Sequence, residues 1–100
     1  MIKLKELSFN EEILLTIGVD ENDGSVILVD KFKNTIQLGV NGISLISNTD
    51  LNISAKGNII IEALNVTINA EAGVAVKGNA AAELSASGQT TVKGAMVMIN

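Results

Sequence analysis

Residues 51–68 read LNISAKGNIIIEALNVTI, and the apolar residues of this stretch fall in pairs spaced i, i+2. The pairs are Leu51/Ile53, Ile59/Ile61 and Val66/Ile68. A spacing of two places both side chains of a pair on one face of a β-strand. The residues between pairs, such as Lys56-Gly57-Asn58, have the composition of a turn. The stretch therefore predicts a strand–turn unit, whereas a helix would need apolar positions spaced by about 3.6 residues.

The same unit recurs from residue 36 to residue 99, at steps of seven or eight residues. The pairs are Ile36/Leu38, Ile43/Leu45, Leu51/Ile53, Ile59/Ile61, Val66/Ile68, Val74/Val76, Ala82/Leu84, Thr90/Val92 and Val97/Ile99. One octad contributes only two inward side chains, so it buries nothing alone and must stack on others. Composition agrees with an all-β fold, since the chain has thirteen Ile and nine Val but only two aromatic residues.

Two architectures satisfy this repeat: a monomeric β-helix with three octads per coil, or three identical chains wound into a prism. We favour an intertwined, trimeric, triple-stranded β-helix, because no aromatic stack and no polar C-terminal cap is visible in the sequence. Nine stacked strands would make a needle on the order of 40 Å long. The residues predicted to form the trimer core are Ile43, Leu45, Leu51, Ile53, Ile59, Ile61, Val66, Ile68, Val74, Val76, Leu84, Val92, Val97 and Ile99.

The first third of the chain differs from the rest, because it holds eleven of the eighteen charged residues. Residues 13–17 and 26–29 predict two longer strands, and the loop Asp20-Glu21-Asn22-Asp23-Gly24 between them contains the Asp-Gly signal of a hairpin. We therefore predict a β adaptor or collar over residues 1–33 and a β-helical shaft with a C-terminal tip over residues 34–100. The glycines of the repeat, Gly42, Gly57, Gly73, Gly88 and Gly94, are expected at tight turns that need a positive φ.

Composition also excludes several classes of function. The chain has no Cys and no His, which removes zinc sites, thiol nucleophiles and Ser-His-Asp catalysis. A net charge of −4 argues against nucleic-acid binding. The shaft carboxylates are Asp50, Glu62, Glu71 and Glu83, and no aromatic side chain accompanies them to hold a sugar ring. We therefore expect them to act as solubilising charges and not as the catalytic pair of a glycosidase. We expect no enzyme activity, no catalytic residue, no cofactor and no bound metal.

Three stretches resemble the trimeric spikes of type VI secretion systems, the VgrG proteins, which are related to the central spikes of contractile phage tails. Residues 29–38 with 41–47 resemble the start of the VgrG β-helical shaft, and residues 56–63 resemble its repeats. The ending, residues 86–100, resembles the C-terminal tip of that shaft. The resemblance covers roughly residues 25–100. One hundred residues are too few for the large N-terminal domains of a VgrG protein, so we expect a fragment or a short stand-alone spike.

The resemblance implies a homotrimer that joins tube and baseplate components through N-terminal domains missing here. It implies assembly in the cytoplasm, then secretion or injection into a target cell, with only transient membrane contact. It also implies a PAAR-repeat tip protein at the C-terminal end, where Met96, Val97, Met98, Ile99 and Asn100 form an apolar segment without a polar cap. The alternative is a trimeric fibre or adhesin stalk that displays a receptor-binding tip.

Overall fold

The computed structural model describes the backbone of residues 2–9 and 12–100 and the side chains of residues 12–100. All regular elements in these residues are β-strands, so the all-β prediction is confirmed. They are β1 (Ile2–Phe9), β2 (Glu12–Val19), β3 (Val26–Asp30), β4 (Thr35–Gly39) and β5 (Gly42–Ile46). The five strands form one antiparallel sheet in chain order. Two compact units divide the chain, residues 1–60 and residues 61–100, and the sheet lies in the first.

The predicted hairpin over residues 13–29 is confirmed, since β2 pairs with β3 and the loop of residues 20–25 joins them. The Asp20 carboxylate accepts the backbone N–H of Asn22 at 2.9 Å, and the Asp20 carbonyl accepts the N–H of Gly24 at 2.8 Å. Gly24 has a φ of 75°, a conformation that glycine adopts without steric cost. The N–H and hydroxyl of Ser25 donate to Oδ1 of Asp23 at 2.9 and 2.8 Å and lower the pKa of that carboxyl.

Asp30 organises the turn between β3 and β4. Its Oδ1 accepts the backbone N–H groups of Phe32 and Asn34, each at 2.9 Å, and its Oδ2 accepts the side-chain amide of Asn34 at 3.0 Å. Partial desolvation raises the pKa of this carboxyl, but the hydrogen bonds from Asn34 and Phe32 outweigh it and leave the pKa below its usual value. Lys33 takes a φ of 70° inside the turn. The carboxylate therefore fixes a tight reversal of the chain.

Two of the observed strand pairings, β4 with β5 and β1 with β2, were not predicted from the sequence. β4 and β5 form a hairpin with the two-residue loop Val40-Asn41, and Gly42 after it has a φ of 108°. The sequence predicted a tight turn at Gly42 but not the antiparallel pairing of the two segments that this turn joins. β1 was also missed, because its register shifts twice, between Lys3 and Lys5 and between Leu7 and Ser8. Such bulges interrupt the period-2 pattern by which a strand is recognised.

The register of the sheet gathers apolar residues on one face. Paired residues in antiparallel strands share a face, and the face alternates along each strand. From β2 to β5 the pairs on this face run Val19–Val26–Leu38–Ile43 and Ile17–Leu28–Ile36–Leu45. These eight residues, called the apolar sheet face below, include the first two apolar pairs of the repeat.

After β5, the described chain has no further regular strand but bends at regular intervals. In the first unit the bends lie at residues 48–49 and 56–57. In the second unit they lie at residue 64 and at residues 71–72, 79–80, 87–88 and 95–96. Each interval between bends contains one of the predicted apolar pairs. The local alternation of extended segment and bend therefore has the period of the sequence repeat.

The expectation of positive φ at the repeat glycines is right for Gly42 and wrong for Gly57, Gly73, Gly88 and Gly94. Gly42 belongs to a tight hairpin, whereas the bends of the repeat connect extended segments without a hydrogen-bonded turn. Such bends do not need the left-handed conformation. Gly94 has a steric role instead, because a Cβ there would lie 3.1 Å from the carbonyl oxygen of Met96.

Candidate assembly interface

The described part of the chain has no buried hydrophobic side chain, although 47% of the whole sequence is hydrophobic. On the apolar sheet face, Ile43 is 72% exposed and Leu45 is 55% exposed, while the members on β2 and β3 are half-buried. Exposed apolar area on this scale is unusual for a monomeric soluble protein and marks an interaction surface. The surfaces along residues 12–100 therefore lack a covering layer within a single chain.

The fourteen predicted core residues all lie in this uncovered set, with exposed fractions between 52% and 92%. Ile43 and Leu45 lie on β5 and have strand neighbours in their own chain, Leu38 and Ile36. The other twelve, from Leu51 to Ile99, lie in the extended intervals between bends. Their burial in a trimer, like the boundary at residue 34, stays a prediction.

Backbone hydrogen bonding ends with the sheet. Among residues 51–100, no N–H or carbonyl makes a backbone–backbone hydrogen bond, and the side-chain bonds are local, such as Ser85 to Glu83 at 3.0 Å. Ordering the backbone costs about 1–2 kcal/mol per residue, and burial and hydrogen bonding must offset that cost. A single chain supplies neither in this region. Within one chain, residues 51–100 therefore gain little that offsets the cost of their extended conformation.

A monomeric β-helix requires parallel ladders between octads of one chain. In the described residues no such ladder follows Ile46, and β5 is the last strand. The described residues therefore do not form the ladders of the single-chain architecture, and the three-chain architecture stays a prediction.

The segment predicted as the tip is fully accessible. Met96, Val97, Met98 and Ile99 expose between 52% and 92% of their surface, and Asn100 is also exposed. No hydrogen bond or ion pair in the described chain holds these five residues. Four consecutive apolar side chains with free backbone groups present an edge on which another β-rich protein can pair.

A polar corner connects the sheet to the first bend of the repeat. The Oδ1 of Asn34 accepts the backbone N–H of Asn48 at 2.8 Å, and the Asn48 amide donates to the carbonyl of Phe32 at 3.0 Å. The hydroxyl of Ser47 donates to the carbonyl of Asp50 across the bend at 2.6 Å. These bonds turn the chain away from β5 at residue 47. Beside them lies an apolar cleft of about 360 Å³, lined by residues that include Leu28, Ile36, Leu45 and Leu51.

Comparison with known proteins returns no match, either to a protein family or to a curated protein sequence. The residues that the structure describes contain no helix long and apolar enough to cross a bilayer. Within the same residues, no group of three or more carboxylates is placed to hold a metal ion. The candidate functional features are the uncovered apolar pairs, the unpaired backbone of residues 51–100 and the tip segment.

Proposed function

We propose that this chain is part of a trimeric spike of a contractile injection system, similar to the VgrG spikes of type VI secretion. Three copies wind around one axis, and the octads of the three chains stack as parallel strands. The spike helps to pierce a target membrane and carries a PAAR-type tip protein or an effector. It assembles in the cytoplasm, is injected into the target cell and contacts the membrane only in passing. Domains outside these 100 residues would join it to the tube and baseplate.

One observation carries the proposal: residues 51–100 keep the period of the repeat but have no backbone partner in the described part of their own chain. An intertwined fibre explains both facts, because each extended segment then pairs with segments of the other copies. It also explains why apolar residues with no cover recur at steps of seven or eight residues. Each pair would face the shared axis and meet the equivalent pairs of two other chains.

The number three follows from the size of the octad. One octad offers a single inward pair, such as Ile59 and Ile61, so it makes one wall of a narrow core. Three such walls close a triangular prism whose centre is filled by side chains without a channel. Two chains would leave apolar pairs exposed at the open side, which a stable soluble fibre avoids.

A prism of this kind suits mechanical work. Strands stacked across three chains cannot separate one by one, since ladders in all three must break together, which raises the barrier to unfolding. The outward positions are mostly Ser, Asn, Thr, Ala, Lys and Glu. A shaft with that surface has no apolar band to hold it in a bilayer, so it would pass through and not reside there.

The tip function rests on the segment of residues 96–100. In the trimer, three copies of this segment would form a small triangular platform with apolar side chains and free strand edges. A single capping protein with a flat apolar base would cover all three at once. The resemblance to VgrG spikes implies that the cap is a PAAR-repeat protein.

The first test is the absolute mass of the full chain in solution by multi-angle light scattering. The proposal expects about 31 kDa, the mass of three chains of 10.4 kDa. The second test adds a PAAR-repeat protein and expects one bound copy per three chains. A monomeric mass would contradict the spike, and a trimer that binds glycans but no PAAR protein would favour the adhesin stalk.

A further inference from the structure

β5 is an edge strand of the sheet and its outer side is open. It pairs with β4 on one side, and no backbone group of the described chain pairs with it on the other. Natural proteins protect such edges with charged residues, proline or a bulge. The β5 sequence, Gly-Ile-Ser-Leu-Ile, has neither charge nor proline, and its pairing with β4 is regular. The edge is therefore suited to accept a further strand.

An extended segment of similar length follows β5 in the sequence but does not pair with it. Residues 50–55 lie between the bends at 48–49 and 56–57, and they have no backbone partner. The corner bonds from Asn48 to Asn34 and Phe32 turn the chain before this segment. The same segment of another copy is free to approach the β5 edge.

The step of eight residues between octads indicates which copy of the chain pairs with β5 and in which register. In a three-chain prism each chain moves to the next wall with every octad, so one wall carries successive octads of different copies. The wall that begins with β5 of one copy continues with the following octad of a second copy. The step from Ile43 to Leu51 and from Leu45 to Ile53 is eight residues in both cases. All chains wind in the same sense, so the two strands run parallel.

We propose that the outer edge of β5 is paired, in parallel, by residues 51–55 of a second copy of this chain. The inference rests on the trimeric fibre proposed above and adds to it the place where the antiparallel sheet becomes the intertwined shaft. Leu51 and Ile53 of the second copy extend the apolar sheet face beyond Ile43 and Leu45. Ser44 of one copy lies on the outer surface beside Asn52 of the other.

Disulfide trapping tests this register directly, because the chain contains no cysteine of its own. Neighbouring strands lie about 4.8 Å apart, which falls within the Cα separation that a disulfide spans. The double variant Ser44→Cys with Asn52→Cys in the full chain should therefore cross-link between copies on mild oxidation. Each copy then forms two disulfides, one with each of the other two copies, so all three chains are linked. The band on a non-reducing denaturing gel should therefore move from 10.4 kDa to about 31 kDa.

The matched control pairs Ser44→Cys with Ile60→Cys, two strands away on the same wall. That separation is about 9.6 Å, which exceeds the reach of a disulfide, so no cross-link should form. The single variant Ser44→Cys should also stay unlinked. If it gives a dimer, β5 edges pair with each other and the proposed register is wrong. If the variant with Ser44→Cys and Asn52→Cys has a trimeric mass but does not cross-link between copies, the proposed pairing of β5 is wrong and the trimeric spike stands. A monomeric mass would contradict both the pairing and the spike.

Discussion

Asn48 donates its backbone N–H to Oδ1 of Asn34 over 2.8 Å, and this bond joins the first bend of the repeat to the β3–β4 turn. The same Asn34 donates its backbone and side-chain N–H groups to Asp30. One side chain therefore connects the antiparallel sheet to the point at which the chain leaves it.

Replacement of Asn34 by alanine should loosen this corner. Asn34→Ala removes two hydrogen bonds, to Oδ2 of Asp30 and from the N–H of Asn48. Each such bond contributes about 0.5–1.5 kcal/mol, so we expect a loss of about 1–3 kcal/mol in the free energy of unfolding. Urea unfolding at fixed chain concentration measures it. The control is Asn22→Ala, because the Asn22 side chain makes no hydrogen bond in the described chain, and this variant should leave the midpoint unchanged. An equal loss of unfolding free energy in both variants would contradict the role of the corner.

Acid should weaken the same corner. Partial desolvation raises the pKa of Asp30, but hydrogen bonds from Asn34 and Phe32 outweigh it and hold the folded-state pKa below 3.8. A carboxyl with a depressed pKa stabilises the fold fully above pH 3.8 and loses that contribution as the pH falls through its folded value. The melting temperature should therefore drop below pH 3.8, and Asp30→Asn should flatten that part of the profile. A profile of the same slope in wild type and variant would assign the acid sensitivity to other carboxyls.

The inward register of the repeat can be tested with two adjacent isoleucines. Ile60 and Ile61 are exposed to a similar extent in the single chain, at 75% and 72%. Only Ile61 belongs to an apolar pair, so Ile61→Asp would place three carboxylates near one axis without partners and should abolish the trimer. Residue 60 is predicted to face outward, so the Ile60→Asp variant should still form the trimer. Light scattering gives the mass of both, and the reverse result would mean that the register is displaced by one residue.

Gly42 and Gly57 can be used to test whether the hairpin requires glycine while the bends of the repeat do not. Gly42 has a φ of 108°, so Gly42→Ala should strain the β4–β5 hairpin by about 1–3 kcal/mol. Gly57 lies in a bend without a positive φ, and an added Cβ meets nothing within 4 Å. Gly57→Ala should change stability by less than about 0.5 kcal/mol. Thermal unfolding of the two variants compares them, and a loss at Gly57 as large as at Gly42 would indicate a neighbour from another copy.

The tip segment can be tested without disturbing the shaft. Met98→Asp adds a charge to a tip residue that is 84% exposed in the single chain, and it should weaken binding of a PAAR-repeat protein about tenfold, or by about 1.4 kcal/mol. The mass of the trimer should stay the same, because Met98 is not one of the predicted core residues. Ser87→Asp, in the bend before the tip, is the matched control and should bind as wild type does. Unchanged affinity in Met98→Asp would locate the cap elsewhere.

The sequence by itself determined the all-β class, the hairpin around Asp20–Gly24 and the period of the repeat. These follow from local chemistry: paired apolar residues such as Ile59 and Ile61 favour strands, and Asp-Gly favours a turn. It also led us to expect positive φ at every repeat glycine, which holds at Gly42 and fails at four others. The pattern of Gly positions indicates a change of direction but does not state whether it is a tight turn or an open bend.

Only the tertiary structure decided where intrachain pairing ends. The pairs Ile36/Leu38 and Ile43/Leu45 have the same spacing as those that follow, yet they belong to an antiparallel sheet within one chain. From Leu51 onward equivalent pairs have no backbone partner among the residues that the structure describes. Spacing fixes which face a side chain takes, because that depends on neighbouring residues alone. The choice of strand partner depends on hydrogen bonds between distant segments, such as the corner from Asn34 to Asn48, which a periodic pattern does not encode.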